Sequence, residues 1–378
     1  MLRVTLAQIL PDFRYEDFPM RLIASLSVSA LLLGALLPSA HAVLPPEVKK
    51  ELTELNRELR PIISMVRKKQ VDEAKAIIQK IEDRIDELDI ADDERYRFVH
   101  GDITDIDVVD PLVAEADWVV NFAAESHVDR SILGSANFLH TNVNGTYVLL
   151  DAAHRHGVER FHQISTDEVY GSIAEGEWDE GFPLEPRNPY SATKASAELL
   201  VNAFHLSHSI PTVVTRASNN IGPYQYPEKR VPLYITNAID DKPLPVYGDG
   251  MQVRDHLYVD DHCSAIDLVL HEGVIGEVYN VGSDNDCTGI DIARTILAQL
   301  GKSESLIQFV EDRAGHDQRY ALDSNKLRAL GWTPAVGVEE TMKRTIQWYV
   351  DHEDWWRDIR NRDDYKAYYQ RQYGDRLK

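Results

Sequence analysis

The chain is poor in cysteine, in N-terminal glycine and in positive charge, and each shortage removes a class of function. Two cysteines in 378 residues, Cys263 and Cys287, are too few for a disulfide framework or a thiolate metal centre, so no metal site is expected. Gly34 is the one glycine among residues 1–100, and no glycine-rich phosphate turn can lie in that stretch. Lysine and arginine number 40 against 62 acidic residues, a net charge of −22. That balance argues against a nucleic-acid partner, because phosphate backbones need a concentrated basic surface. Small anionic ligands stay open, since a few converging basic side chains suffice for them. Apolar residues are plentiful, at 43%, enough for the cores of two or three domains of a globular enzyme-sized protein.

Residues 20–42, MRLIASLSVSALLLGALLPSAHA, have a basic start, a short apolar run and an A-x-A ending, the layout of a secretory signal peptide. The run is too short to cross a bilayer comfortably, so no stable membrane span is expected. The signal reading requires translation to begin at Met20, and the other reading is a buried helix. Secretion or export to the periplasm follows only from the first. Over residues 43–94 apolar residues recur three and four apart. Val48, Leu52, Leu55 and Leu59 form one stripe, and Ile77, Ile78, Ile81, Ile85 and Leu88 another. Pro61 interrupts the pattern, which predicts two amphipathic helices, a packing element or a coiled-coil partner.

From about residue 96 short apolar strands alternate with helical patterns. YRFVHGD, DWVVNFAAES, ERFHQISTDE and PTVVTRASNN each run from a strand into a polar turn, with helices over 137–156 and 190–208 between them. The alternation predicts an α/β fold with a mostly parallel sheet covered on both faces. In that architecture ligands sit beyond the carboxyl ends of the strands, where these polar turns fall.

STDEVYG, residues 165–171, is one such turn. Asp167 and Glu168 would face opposite sides of a continuing strand, but at a strand end both can reach one cleft. Two carboxylates there suit a division of labour, one giving a proton and one taking it. Tyr190 and Lys194 in NPYSATKASAELL are four apart on a predicted helix and share a face. An ammonium beside a phenol favours the phenolate, so Tyr190 can serve as a base. With the hydroxyls of Ser165 and Thr166 nearby, the set could converge on a substrate hydroxyl whose hydride leaves to a nicotinamide.

GDITD (101–105), FAAESHVDRSI (122–132), TNVNGTYVLLDAA (141–153), STDEVYGS (165–172), PYSATKA (189–195), NNIGPYQYPEK (219–229), PLPVYGDGMQVRDHLYVDDHC (243–263), YNVGS (279–283) and DRAGHDQRYALD (312–323) together resemble the dTDP-glucose 4,6-dehydratases. These are extended members of the short-chain dehydrogenase/reductase superfamily, and the likeness covers roughly residues 95–356. Thr166-Asp167-Glu168 distinguishes them from related epimerases, which lack the acid pair, and from GDP-mannose dehydratases and UDP-glucuronate decarboxylases, which typically carry Thr-Ser-Glu.

The resemblance implies a Rossmann-like, doubly wound, mostly parallel sheet with a smaller α/β substrate-binding domain. Residues 95–210 would form the NAD-binding part, and 211–378 the nucleotide-sugar part with some elements returning to the sheet. It implies NAD as cofactor, dTDP-glucose as substrate, a homodimer and a cytoplasmic setting. Tyr190 with Lys194 would take the 4-hydroxyl proton, Glu168 the position-5 proton, and Asp167 would protonate the leaving 6-hydroxyl while Thr166 holds the 4-oxygen. Asp102, Ile103, Ala123, Ala124, Glu125, Ser126, Thr141, Tyr190, Lys194 and Asn220 would line the cofactor. His127 and Asp129 would line the sugar pocket. Asn219, Lys229, Arg254 and Asn280 would grip the nucleoside diphosphate, with Pro245 and Tyr247 beside them. Arg313, His316 and Tyr320 would close over it.

Arg230 stands where the family usually has Leu, and Ala314 where it usually has Pro; both are expected to loosen the nucleotide pocket. The larger departure is the missing GxxGxxG turn. It leaves open an N-terminal fusion or gene-model error, a variant whose helical pair replaces the missing strands, and a catalytically impaired nucleotide-sugar-binding protein.

Overall fold

A computed structural model describes residues 96–377 apart from Ala314. The signal-like stretch 20–42, the helical pair 43–94 and Ala314 lie outside the described residues. Gly101–Lys378 forms one compact unit.

Its centre is a parallel sheet of β1 (Trp118–Asn121), β2 (Arg160–Thr166), β3 (Thr212–Ala217) and β7 (Val278–Val281), in that spatial order. Each crossover carries helix: α1 (Ile106–Val113) precedes β1, α3 (Thr146–His156) joins β1 to β2, and α4 (Pro189–His208) joins β2 to β3. A short helix, α2 (Val128–Leu133), follows β1. The unbroken burial along β3 follows from coverage on both faces. Val213 packs with α6 (Val259–Glu272) and β7, whereas its neighbour Val214 packs with α1, α3 and α4. Adjacent strand residues point to opposite faces, so a sheet solvated on one side could not bury both.

A second core lies among α5 (Arg230–Ile239), β5 (Leu244–Tyr247), α7 (Gly289–Gln299), α9 (Val338–Asp351), α10 (Glu353–Asn361) and α11 (Asp363–Tyr373). Trp356, Tyr349 and Ile235 are fully buried there. Two small sheets frame it: β4 (Asn219–Ile221) pairs with β6 (Val253–Tyr258), which pairs antiparallel with β8 (Asp286–Thr288), and β5 pairs with β9 (Ile307–Val310). Although β3 and β7 come after residue 210 in the chain, they complete the central sheet.

Candidate active site

The carboxyl end of β2 is closed by a cap. Thr166 keeps an extended backbone and its hydroxyl accepts from the Glu168 amide at 3.3 Å, which turns the chain into a single 3-10 turn, Asp167–Tyr170. Gly171 ends the turn at φ +86°, and a Cβ there would stand 2.5 Å from the Glu185 carbonyl oxygen. Conformation and space both require glycine at that place. The turn removes the two acids from strand alternation, and Glu168 lines a cleft next to the sheet while Asp167 is 1% exposed behind it.

Asp167 accepts from the Thr166 hydroxyl at 3.1 Å through Oδ1, and its Oδ2, buried, has no hydrogen-bond partner among the described residues. Burial, with Glu168 adjacent, holds its carboxyl well above the usual range, against a weaker pull from Arg254. Asp167 is therefore biased toward the protonated form, the state a proton donor needs.

Tyr190 and Lys194 rise from the first turns of α4. Asn188 caps this helix, accepting from the Ser191 amide at 2.9 Å while the Ser191 hydroxyl takes up the Asn188 amide, and Pro189 fits the first helical position. Tyr190 and Lys194 share the buried face as expected, but their electrostatics differ from the simple picture of a paired ammonium and phenol. Lys194 Nζ donates to the Ile164 carbonyl at 2.6 Å, and burial pushes its pKa down to about 8 against the pull of Glu198. The Tyr190 phenol is held up, by burial first and then by Glu168 and Asp167, with Thr166 opposing. The two acids that make this end of the sheet chemically useful also disfavour a second anion beside them.

The loop after β1 is tied to the same helix. Asn142 accepts from the Glu125 amide at 2.8 Å and donates to the Glu125 carbonyl at 3.0 Å and the Thr193 hydroxyl at 2.9 Å. It sits with Thr141 in a π-helical segment, Leu139–Gly145, a widened turn of the kind found at functional sites. Gly145 lets Ile103 pack close, since a Cβ there would be 2.4 Å from Ile103 Cδ1. The Ala123 amide donates to Asn121 Oδ1 at 3.1 Å, and Asp102 is an exposed acid engaged by Thr104. A nicotinamide dinucleotide fits this strand edge in part. Tyr190, Lys194, the 123–126 loop and Asn220, whose buried Oδ1 lacks a partner among the described residues, suit its nicotinamide half. The pyrophosphate turn has no counterpart in the sequence, because residues 1–100 carry only Gly34.

The cleft itself, partly open to solvent, is lined by His127, Asp129, Glu168, Asn219, Asn220, Lys229, Pro245, Tyr247, Arg254, Arg313 and His316 among the residues predicted from sequence. His127 accepts from the Asp129 amide at 3.2 Å, which opens α2 and fixes both side chains. Asp129 then gathers Arg313 Nη1 at 2.9 Å on one oxygen, and Tyr247 Oη at 2.9 Å with Gln372 Nε2 at 3.2 Å on the other. Burial raises the Asp129 pKa, but Arg313 and these donors more than offset it, and the carboxyl stays below its usual range.

Two predicted contacts lie elsewhere. Asn280 is fully buried, its amide donating to the Trp178 and Asp323 carbonyls and its Oδ1 accepting from Tyr170 Oη at 2.9 Å. Tyr320 is 2% exposed, bonded to Asp317 at 2.7 Å and covered by the Arg254 guanidinium at 3.9 Å. Arg254 lines the cleft but spends donors on the Val253 and Asp317 carbonyls, each at 2.7 Å. Sequence reasoning missed Gln252, His256 and Tyr373 in the lining. It also missed α11, where Tyr368 Oη meets His127 Nε2 at 3.3 Å. Tyr365, Tyr368 and Tyr373 of YKAYYQRQY, three and five apart, were the available signal.

The model of the family described as GDP-mannose 4,6 dehydratase matches residues 63–345, beginning inside the stretch read as the helical pair. The low-salt glycan biosynthesis protein Agl12 of Haloferax volcanii is 54% identical over 263 residues, 70% of this chain and 85% of that protein. The dTDP-glucose 4,6-dehydratase of Streptomyces niveus is 50% identical over 276 residues, 73% of this chain and 82% of its own. Among solved structures, a double mutant of the dTDP-glucose 4,6-dehydratase DesIV from Streptomyces venezuelae, with NAD bound, superposes with a TM-score of 0.71 at 44% identity, covering 73% of this chain and 86% of that one. A strand-end acid pair, a Tyr-Lys helix and a cationic cleft on a parallel sheet agree with these likenesses: the chain belongs to the GDP-mannose 4,6 dehydratase family, among its dTDP-glucose 4,6-dehydratase members in the extended short-chain dehydrogenase/reductase superfamily.

Proposed function

We propose that this chain dehydrates dTDP-glucose to dTDP-4-keto-6-deoxyglucose. The observation that carries this reading is the seat of Asp167 and Glu168 on one turn, the first buried and biased toward its acid form, the second facing the cleft. NAD, when bound, supplies a transient acceptor for the position-4 hydride and returns it at position 6. Ala123, Ala124, Glu125, Ser126, Thr141, Tyr190, Lys194 and Asn220 would hold it along the strand ends, with Asp102 and Ile103 toward its adenine.

Tyr190 takes the 4-hydroxyl proton while Thr166 holds the same oxygen. Because burial keeps the free phenol protonated, the Lys194 ammonium on the same helix face is needed to favour the phenolate. Position 5, beside the 4-ketone, becomes acidic and gives its proton to Glu168, which returns a proton there once the hydride is back at position 6. Asp167 protonates the 6-hydroxyl, which leaves as water. Asn219, Lys229 and Arg254 face the nucleoside diphosphate, and Asp129, anchored by Arg313 and Tyr247, orders the sugar end together with His127.

A homodimer fits the surface: Leu199 and Leu206, two turns apart on α4, are 62% and 74% exposed, and Leu139 and Tyr147 add apolar area nearby. The cytoplasm is the compartment the family resemblance favours. Among the described residues no helix is long and apolar enough to cross a membrane. A second reading, a nucleotide-sugar binder with impaired turnover, is favoured by Gly34 standing alone in residues 1–100. Incubation with dTDP-glucose, with and without added NAD⁺, separates the two. The alkali-absorbing 4-keto-6-deoxy product supports the enzyme; tight dTDP binding without product at any NAD⁺ concentration supports the binder.

A further inference from the structure

We propose that Arg230 binds phosphate in this cleft, adding a second guanidinium to that of Arg254 on the ligand's diphosphate. The inference rests on the nucleoside-diphosphate reading above and deepens it. Arg230 opens α5, is half-buried, and lines the same cleft as Arg254, Arg313 and Lys229. Among the described residues its side chain makes one hydrogen bond, to His256 Nε2 at 3.2 Å. A guanidinium only donates, so Nε2 accepts, and the neutral ring carries its proton on Nδ1. His256 is a neutral acceptor and not a countercharge: it is 1% exposed, and burial together with Arg230 pushes its pKa down to about 3.

Among the described residues no carboxylate lies within ion-pair distance of Arg230. Burial first, and then the like charges of Arg254 and Arg313, bring its pKa down to about 10 against an opposing pull from Tyr234. By contrast, Arg313 is paired with Asp129 at 2.9 Å. A half-buried guanidinium with no paired carboxylate is costly unless an anion offsets it, and no side chain among the described residues provides one at ion-pair distance. Gly289, the first residue of α7, lies beside the guanidinium, since a Cβ there would be 3.4 Å from Nη1. Two helix N-termini, of α5 and α7, thus border the same group and add positive potential. Rather than loosening the pocket, Arg230 strengthens its hold on a doubly charged diphosphate.

The test titrates the full chain and its Arg230→Leu and Arg230→Lys variants with dTDP and with dTMP by calorimetry, and records thermal unfolding of each free protein. For Arg230→Leu the expected result is about tenfold or more weaker dTDP binding, with dTMP changed by less than about threefold. Arg230→Lys should recover part of the loss. The free Arg230→Leu protein should unfold no lower than the parent, because an unpaired charge has been removed. Unchanged dTDP affinity in Arg230→Leu overturns the inference, as does an equal loss for dTDP and dTMP with a lowered unfolding temperature. A parent chain that binds no dTDP overturns the nucleoside-diphosphate reading itself.

Discussion

The Thr166 hydroxyl donates to Asp167 Oδ1 at 3.1 Å and leaves Asp167 Oδ2 buried with no partner among the described residues, so one small side chain both orients the acid and leaves its second oxygen available for a proton. Asp167→Asn keeps the shape and removes the transferable proton. Turnover should fall by about 10²–10³-fold, measured as product formed under saturating substrate. Stability should move the other way. A raised carboxyl pKa contributes stability below the unfolded value near 3.8 and loses it as pH climbs through the folded value. The Asn variant escapes that loss, so its unfolding temperature should exceed the parent's at pH 8 and approach it as pH falls. A gap independent of pH would show that Asp167 is not the group responsible.

Lys194 should set an alkaline limb. Its pKa of about 8 means the ammonium is lost as pH rises through that value, and with it the support for a Tyr190 phenolate. Turnover of the parent should decline on that side. Lys194→Arg stays charged throughout, so its profile should lack the limb while its plateau is lower. Persistence of the limb in the Arg variant would assign it to another group.

The Arg313–Asp129 pair should matter to folding as well as to the site. Arg313→Met leaves Asp129 with Tyr247 and Gln372 alone, and denaturant unfolding should show a loss on the order of 2–4 kcal/mol near neutral pH, discounted for the partial exposure of Arg313. Because the folded pKa of Asp129 is depressed, the pair's contribution is present above the ordinary value of 3.8 and is lost as pH falls below it. The difference between parent and variant should therefore shrink in acid.

Leu206→Asp should convert a dimer to a monomer in light scattering while leaving dTDP binding intact, since Leu206 lies on the exposed face of α4 and outside the cleft lining. A parent chain that is already monomeric at micromolar concentration would remove the dimer from the account.

What could be read from sequence was local. The helix expected over 190–208 is α4, Pro189–His208, because Asn188, Pro189 and the Tyr-Lys spacing are short-range signals. The strand PTVVT is legible as a two-faced buried strand for the same reason. What escaped was set by distance along the chain and by competition among partners. Gln372 reaches Asp129 across 243 positions, a pairing no local pattern announces. Lys194 takes the Ile164 carbonyl and Asn280 the Trp178 carbonyl, choices fixed by which backbone groups the fold leaves open in the interior. Arg230 was visible as a departure, yet its sense depended on finding no acid beside it.

The most direct measurement follows the hydride. dTDP-glucose carrying deuterium at position 4, incubated with the full chain and NAD⁺ in ordinary water, should yield a 4-keto-6-deoxy product with that deuterium at position 6. Loss of the label to solvent, or binding of the substrate with no product, would contradict the proposed dehydration.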